Sequence, residues 1–166
     1  MPRTRTIPDD RIFAAILRLL SQGGDKAVSF GTVSAAVGLA PPTLVQRFGS
    51  RDGMVRAARL AAWDALDART SVAIATGADK GPLALFKSIG PVDPSLLLLD
   101  MRDPDLAQRA AVWRATVESA LGLRLGAGQK AKETAALLFA AWQGQALWAP
   151  AGDAAFKLKD VLKRLT

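Results

Sequence analysis

The stretch from Ser29 to Met54, SFGTVSAAVGLAPPTLVQRFGSRDGM, restricts the fold more than any other part of the chain. It predicts two short helices joined by a tight turn, then a second turn into a third helix. Ser29 stands where a hydroxyl takes an orphan N–H of the first of these helices. Phe30, Val33 and Val37 recur at i, i+3 and i+7, which makes one apolar face. Gly38 follows, where a helix exits through a left-handed residue that glycine adopts without strain. Leu39 is expected as the buried turn residue. Pro42 suits the first turn of the next helix, where a missing N–H costs little. Leu44 and Phe48, four apart, point back to the core, which leaves Thr43, Val45, Gln46 and Arg47 outward or at the edge. A helix anchored on one face, with small and polar side chains on the other, fits a DNA major groove.

These spacings resemble the DNA-binding domain of the tetracycline-repressor (TetR) family of transcriptional regulators. The matching residues are Val33, Ala36, Gly38 and Leu39, then Thr43, Leu44 and Phe48. Gly49-Ser50-Arg51-Asp52 matches the family's turn into its fourth helix, with Met54 as the apolar anchor. Upstream, Ile12, Ala15, Leu19 and Gly23 match the first helix and its exit, so the resemblance covers about residues 7–60. Two positions depart from the family pattern. Val45 stands where members usually carry an aromatic that touches the DNA backbone, and Ala40 where they usually carry a polar cap. Pro41-Pro42 partly compensates by stiffening the start of the helix. The resemblance implies a DNA surface of Ser29, Thr32, Pro41, Pro42, Thr43, Val45, Gln46, Arg47 and Arg51. Thr43 and Gln46 are the expected phosphate and base-edge contacts; the competing reading is a plain solvated helix face. Arg51 opens a helix, where a cation opposes the macrodipole, so a phosphate partner is expected for it. Arg3 and Arg5 are candidates for a minor-groove arm, with an idle tail as the alternative.

Charge placement agrees. The chain carries +7 overall, and residues 1–60 hold nine Lys and Arg against four Asp and Glu, a net +5. Counterion release at phosphates needs that excess. Enzyme chemistry finds little support, because there is no His, Cys or Tyr. That removes the commonest general base, the thiol nucleophile and the usual transition-metal ligands, and no cofactor is implied. The acidic pairs Asp9-Asp10 and Asp103/Asp105 sit at helix starts, where negative charge stabilises the dipole. The first ten residues are polar and charged, unlike a signal peptide. The longest apolar run, residues 134–149, contains Gln143 and Gln145 and falls short of the roughly 20 residues a bilayer span needs. A cytoplasmic protein with no membrane partner is expected.

The whole chain reads as all-α. A homeodomain-like three-helix helix-turn-helix module is expected over residues 1–50, and a helical dimerisation and effector-binding domain over 51–166. A helix from about 51 to 76 bridges the two. Gly77 to Pro82 is the clearest break in composition. Short helices are expected over about 83–89 and 95–99, the second capped by Ser95. A long helix follows Asp103, with Leu106, Ala110, Trp113, Val117 and Leu121 as its stripe. The next helix, about 129–148, is apolar almost all round and so needs cover on more than one side. Its small residues Ala136, Ala140 and Gly144, with Leu147, are the expected dimer face. Asp153 is expected to cap a last helix. Trp63, Phe86, Met101 and Trp113 are candidates to line an effector cavity, with ordinary core packing as the competing reading.

The sequence therefore points to a DNA-binding transcriptional regulator: a homodimer on palindromic double-stranded DNA, acting as a repressor and, by resemblance, responsive to a small apolar or amphipathic effector. The alternative is a helical dimeric small-molecule-binding protein whose DNA module is degenerate.

Overall fold

The computed structural model describes residues 7–77, 80–152 and 156–166, with backbone alone at 95, 96 and 99. Every regular element among them is helical, and they fall into two compact units that divide at Asp64/Ala65. The division lies inside the helix of about 51–76 that was expected to bridge the two parts. Residues beyond the helix start, Met54, Val55 and Ala58, are buried apolar side chains of the first unit.

The first unit holds α1 (Asp9–Gly23), a 3-10 turn (Asp25–Ala27), α2 (Phe30–Val37), α3 (Pro41–Phe48) and the opening of α4 (Arg51–Thr76). α1 presents Ile12, Ala15, Ile16 and Leu20 to the core, where they meet Val28, Val33 and Leu44. Phe13 and Phe48 add a tilted ring pair with centroids 6.0 Å apart. Gly38 leaves α2 at φ 73°, ψ 28°, the left-handed exit expected of it. Leu39 is half-buried, not fully buried.

The second unit holds the rest of α4, then α5 (Pro82–Ile89), α6 (Pro94–Asp100), α7 (Pro104–Arg124), α8 (Gly128–Trp148) and α9 (Leu158–Leu165). Asp103 caps α7 by accepting from the N–H groups of Asp105 and Leu106 at 3.0 and 3.3 Å. The Ser95 side chain and Asp153 lie outside the described residues. α7 is tied to α4 at three levels. Asp67 pairs with Arg109 at 2.7 Å, Trp113 Nε1 donates to Thr70 Oγ1 at 2.9 Å, and Arg124 donates to the carbonyls of Ile74 and Gly77. The last of these supplies partners to carbonyls that a helix end leaves bare.

α7 and α8 form an antiparallel hairpin around the corner Leu125-Gly126-Ala127. Ala127 is the one described non-glycine residue with positive φ, at φ 62°, ψ 178°. Glycine alone occupies that region freely, and holding another residue there costs about 1–3 kcal/mol. Ala127→Gly is expected to stabilise the protein by about 1 kcal/mol, since glycine's looser unfolded chain offsets part of the relief. A thermal melt checks this, with a rise of roughly 2–4 °C expected for a chain of this size. A lower melting temperature would count against strain at this corner.

α8 is covered only in part by its own chain. Ala131, Thr134, Ala135, Leu138 and Phe139 are buried, but nothing beyond Phe139 is. Leu137, Leu147 and Trp148 are 53, 49 and 69 % exposed. The helix is apolar all round, as the sequence indicates, yet this chain leaves much of its second half uncovered.

Candidate nucleic-acid interface

α3 is oriented by its apolar side. Leu44 is fully buried and Phe48 is half-buried against Phe13. The other side presents Pro41, Pro42, Thr43, Val45 and Gln46 to solvent. Ala40 leads into the helix in extended conformation without a side-chain cap, and the two prolines occupy the first turn. The turn before it is held from α2, where the Ser34 hydroxyl donates to the Leu39 carbonyl. The Thr43 hydroxyl and the Gln46 amide make no hydrogen bond to another described residue, and both side chains are exposed.

The remaining polar candidates are engaged inside the module. Ser29 and Thr32 form a reciprocal capping box: Ser29 Oγ accepts from Thr32 N at 3.0 Å, and Thr32 Oγ1 accepts from Ser29 N at 2.9 Å. The Thr32 hydroxyl also reaches the Ala27 carbonyl at 2.9 Å. Arg47 donates to the Ile7 carbonyl at 2.8 Å and pairs with Asp9 at 2.7 Å. One member of the expected acidic cap therefore also anchors the end of α3.

Arg51 differs most from expectation. Its Nε donates to the Val28 carbonyl at 3.0 Å, and its guanidinium pairs with both Asp25 and Asp52 at 2.7 Å. A further bond runs from Nη2 to the Asp25 carbonyl. The cation at the helix start, which suggested a phosphate partner, is thus offset by two carboxylates of its own chain. Asp25 was not singled out by sequence reasoning, because its pairing with Arg51 spans a 26-residue separation. Hydrogen bonding to Asp52, then to Asp25, raises the Arg51 pKa above the ordinary guanidinium value. A raised folded-state pKa contributes stability below the unfolded pKa and loses it only above, so the Arg51 guanidinium stays charged at every pH the fold meets.

Arg51→Ala is accordingly expected to destabilise the free protein, by about 1–2 kcal/mol for charge-assisted bonds to backbone carbonyls. Urea unfolding without DNA reads this directly. An unchanged midpoint, paired with weaker DNA binding, would return Arg51 to the phosphate role.

In the second unit, Met101 and Trp113 wall a groove of about 430 Å³ between α6, α7 and α8. Trp63 and Phe86, also expected at an effector cavity, do not line it. Phe86 is buried and stacks on Trp142 at 4.5 Å, and Trp63 is buried and belongs to the first unit. Gly144 and Leu147, expected at a dimer face, lie on the groove wall, whereas Ala136 and Ala140 do not. Ala140 is exposed.

Residues 12–58, from the start of α1 into α4, match the family model described as bacterial regulatory proteins, tetR family. Over that segment the chain is similar to the tetR family. No curated protein matches the sequence. Solved structures extend the likeness along the whole chain. A transcriptional regulator from Rhodococcus sp. Rha1 is 23% identical over 96% of this chain and 92% of its own, with a TM-score of 0.71. The multidrug binding protein EbrR, complexed with malachite green, is 25% identical over 96% and 98%, with a TM-score of 0.67. A putative TetR-family transcriptional regulator from Rhodococcus sp. is 20% identical over 95% and 93%, with a TM-score of 0.61. These likenesses show the all-helical fold of such regulators along the chain. Among its described residues no helix is long and apolar enough to cross a membrane.

Proposed function

We propose that this chain is a tetR-type transcriptional regulator, a homodimeric repressor that reads a palindromic operator through α3 and is released by a small effector. Its setting is the cytoplasm, where the DNA lies. Residues 1–50 supply the reading head, and 51–166 supply pairing and effector binding. The observation that carries the reading is the surface of α3: Thr43, Val45 and Gln46 exposed opposite a fully buried Leu44. A single helix-turn-helix contacts too few base pairs to be selective, and two-fold pairing onto a palindrome supplies the rest. An apolar or amphipathic effector has Met101 and Trp113 available on one groove wall.

Selection of genomic fragments at low salt tests the reading. An enriched palindrome is expected, and affinity for it should fall with salt, with a log–log slope of about −0.9 for each phosphate contact. Gln46→Ala should relax preference at one base position by roughly 1–3 kcal/mol. Failure to enrich any palindrome would falsify the DNA-reading role, and equal losses on specific and random DNA would remove Gln46 from base readout.

One observation favours the alternative, a helical ligand-binding dimer with a degenerate DNA module. Ser29, Thr32, Arg47 and Arg51 spend their polar groups within the module. Duplex binding that ignores salt, or none at all, would establish that reading.

A further inference from the structure

We infer that α3 selects A·T base pairs, with Val45 packed on a thymine methyl and Gln46 paired to the edge of an adenine. The inference rests on the DNA-reading role proposed above and names the bases that role selects. Each base pair shows its own pattern in the major groove, so the side chains left free on a reading helix decide which pairs it favours. Guanine is most often taken by an arginine or lysine that reaches O6 and N7 together. Arg47 is the one cation in α3, and both of its terminal nitrogens are turned toward the start of α1. Nη1 donates to the Ile7 carbonyl at 2.8 Å, Nη2 pairs with Asp9 at 2.7 Å, and the guanidinium lies 5.9 Å from the Phe48 ring centroid. A fork held at both prongs grips a guanine only by giving up both bonds. Arg51, the next cation along the chain, is held by Asp25 and Asp52.

What remains on the reading face is small and mostly apolar. Pro42, Val45 and Gln46 stand at i, i+3 and i+4, all exposed, opposite the fully buried Leu44. Val45 keeps 43 % of its surface in solvent. Its branched Cβ holds one χ1 rotamer in a helix, so its methyl groups are presented without further ordering. The thymine C5-methyl is the apolar group of the major groove, and a preset valine complements it. Pro41 and Pro42 carry no N–H, so the first turn of α3 offers a phosphate less to hold than most helix starts do. Pro42 instead extends the apolar edge that Val45 begins. Gln46 supplies an amide, whose donor and acceptor match adenine N7 and N6 as a pair. The Thr43 hydroxyl serves any base and favours none.

Duplexes built from the enriched palindrome test this with the full chain. Each thymine is replaced in turn by deoxyuridine, which removes only the methyl, and each adenine by 7-deazaadenine, which removes only the N7 acceptor. One thymine in each half-site is expected to show a loss of about fourfold, the worth of one buried methyl-sized group. One adenine in each half-site should respond to the loss of N7. In Val45→Ala the deoxyuridine loss should vanish while the 7-deazaadenine loss stays, and in Gln46→Ala the reverse. Circular dichroism melts confirm that each variant is folded. Deoxyuridine that binds as well as thymine at every position, or a methyl effect that survives Val45→Ala, would overturn the inference. So would an enriched site whose guanines are required by the natural chain and become dispensable in Arg47→Gln. All three outcomes leave the palindrome standing. Failure to enrich one defeats the DNA-reading role and this inference together, so the selection step itself tells the two failures apart.

Discussion

Ala140→Glu is expected to turn the protein into a monomer at micromolar concentration and to remove operator binding, while the helices stay folded. Leu137 and Ala140, at i and i+3 on α8, are both exposed, and neither lines the groove. Apolar surface of that kind marks an interface. In a lone chain the glutamate faces water and costs almost nothing, because Ala140 is exposed and glutamate is a good helix former. In a pair it becomes an unpaired charge between apolar helices, a cost large enough to outweigh a typical association energy. Sedimentation velocity separates the cases. The expectation fails if the natural chain is already monomeric at micromolar concentration, or if the variant still pairs as well as the parent.

Trp113→Ala should be the most damaging single truncation in the second unit. The indole is 3 % exposed, hydrogen-bonded to Thr70, and packed against the rings of Phe139 and Trp142 at 5.6 and 6.3 Å. Truncating a buried tryptophan to alanine costs about 3–5 kcal/mol in transfer and cavity terms. Removing it also leaves Thr70, itself 2 % exposed, without its donor. That loss is a large share of the roughly 5–15 kcal/mol that holds a typical domain together. Chemical denaturation gives the value, and a loss below about 1 kcal/mol would mean the surrounding rings collapse into the vacated space.

The sequence made the first unit legible almost residue by residue, since its determinants are local. The Ser29 cap, the left-handed exit at Gly38, the paired prolines and the Leu44/Phe48 anchor all act within one or two helical turns. What it concealed depends on distance along the chain. Arg51 looked free for DNA because Asp25 and the Val28 carbonyl are remote in sequence and adjacent in space. Arg47 and Asp9 are likewise brought together only by folding. In the second unit the helices were readable from their stripes, but not which rings would meet. Phe86 stacks on Trp142 and Met101 stands at a groove, although both are large apolar side chains with similar local patterns. That burial along α8 ends at Phe139 was not legible either, because hydropathy records an apolar surface without recording what covers it.

The division of labour on α2 and α3 has an evolutionary consequence. Ser29, Thr32, Arg47 and Arg51 hold the module together, whereas Thr43, Val45 and Gln46 stand in solvent and support nothing. Surface changes at such positions usually alter stability by less than about 0.5 kcal/mol. A lineage carrying this module can therefore exchange those three side chains without passing through an unstable intermediate, and under the proposed function each exchange shifts the operator it reads. The residues that hold its shape are locked by one another, so the exposed face of α3 and the fold are inherited on separate sets of positions.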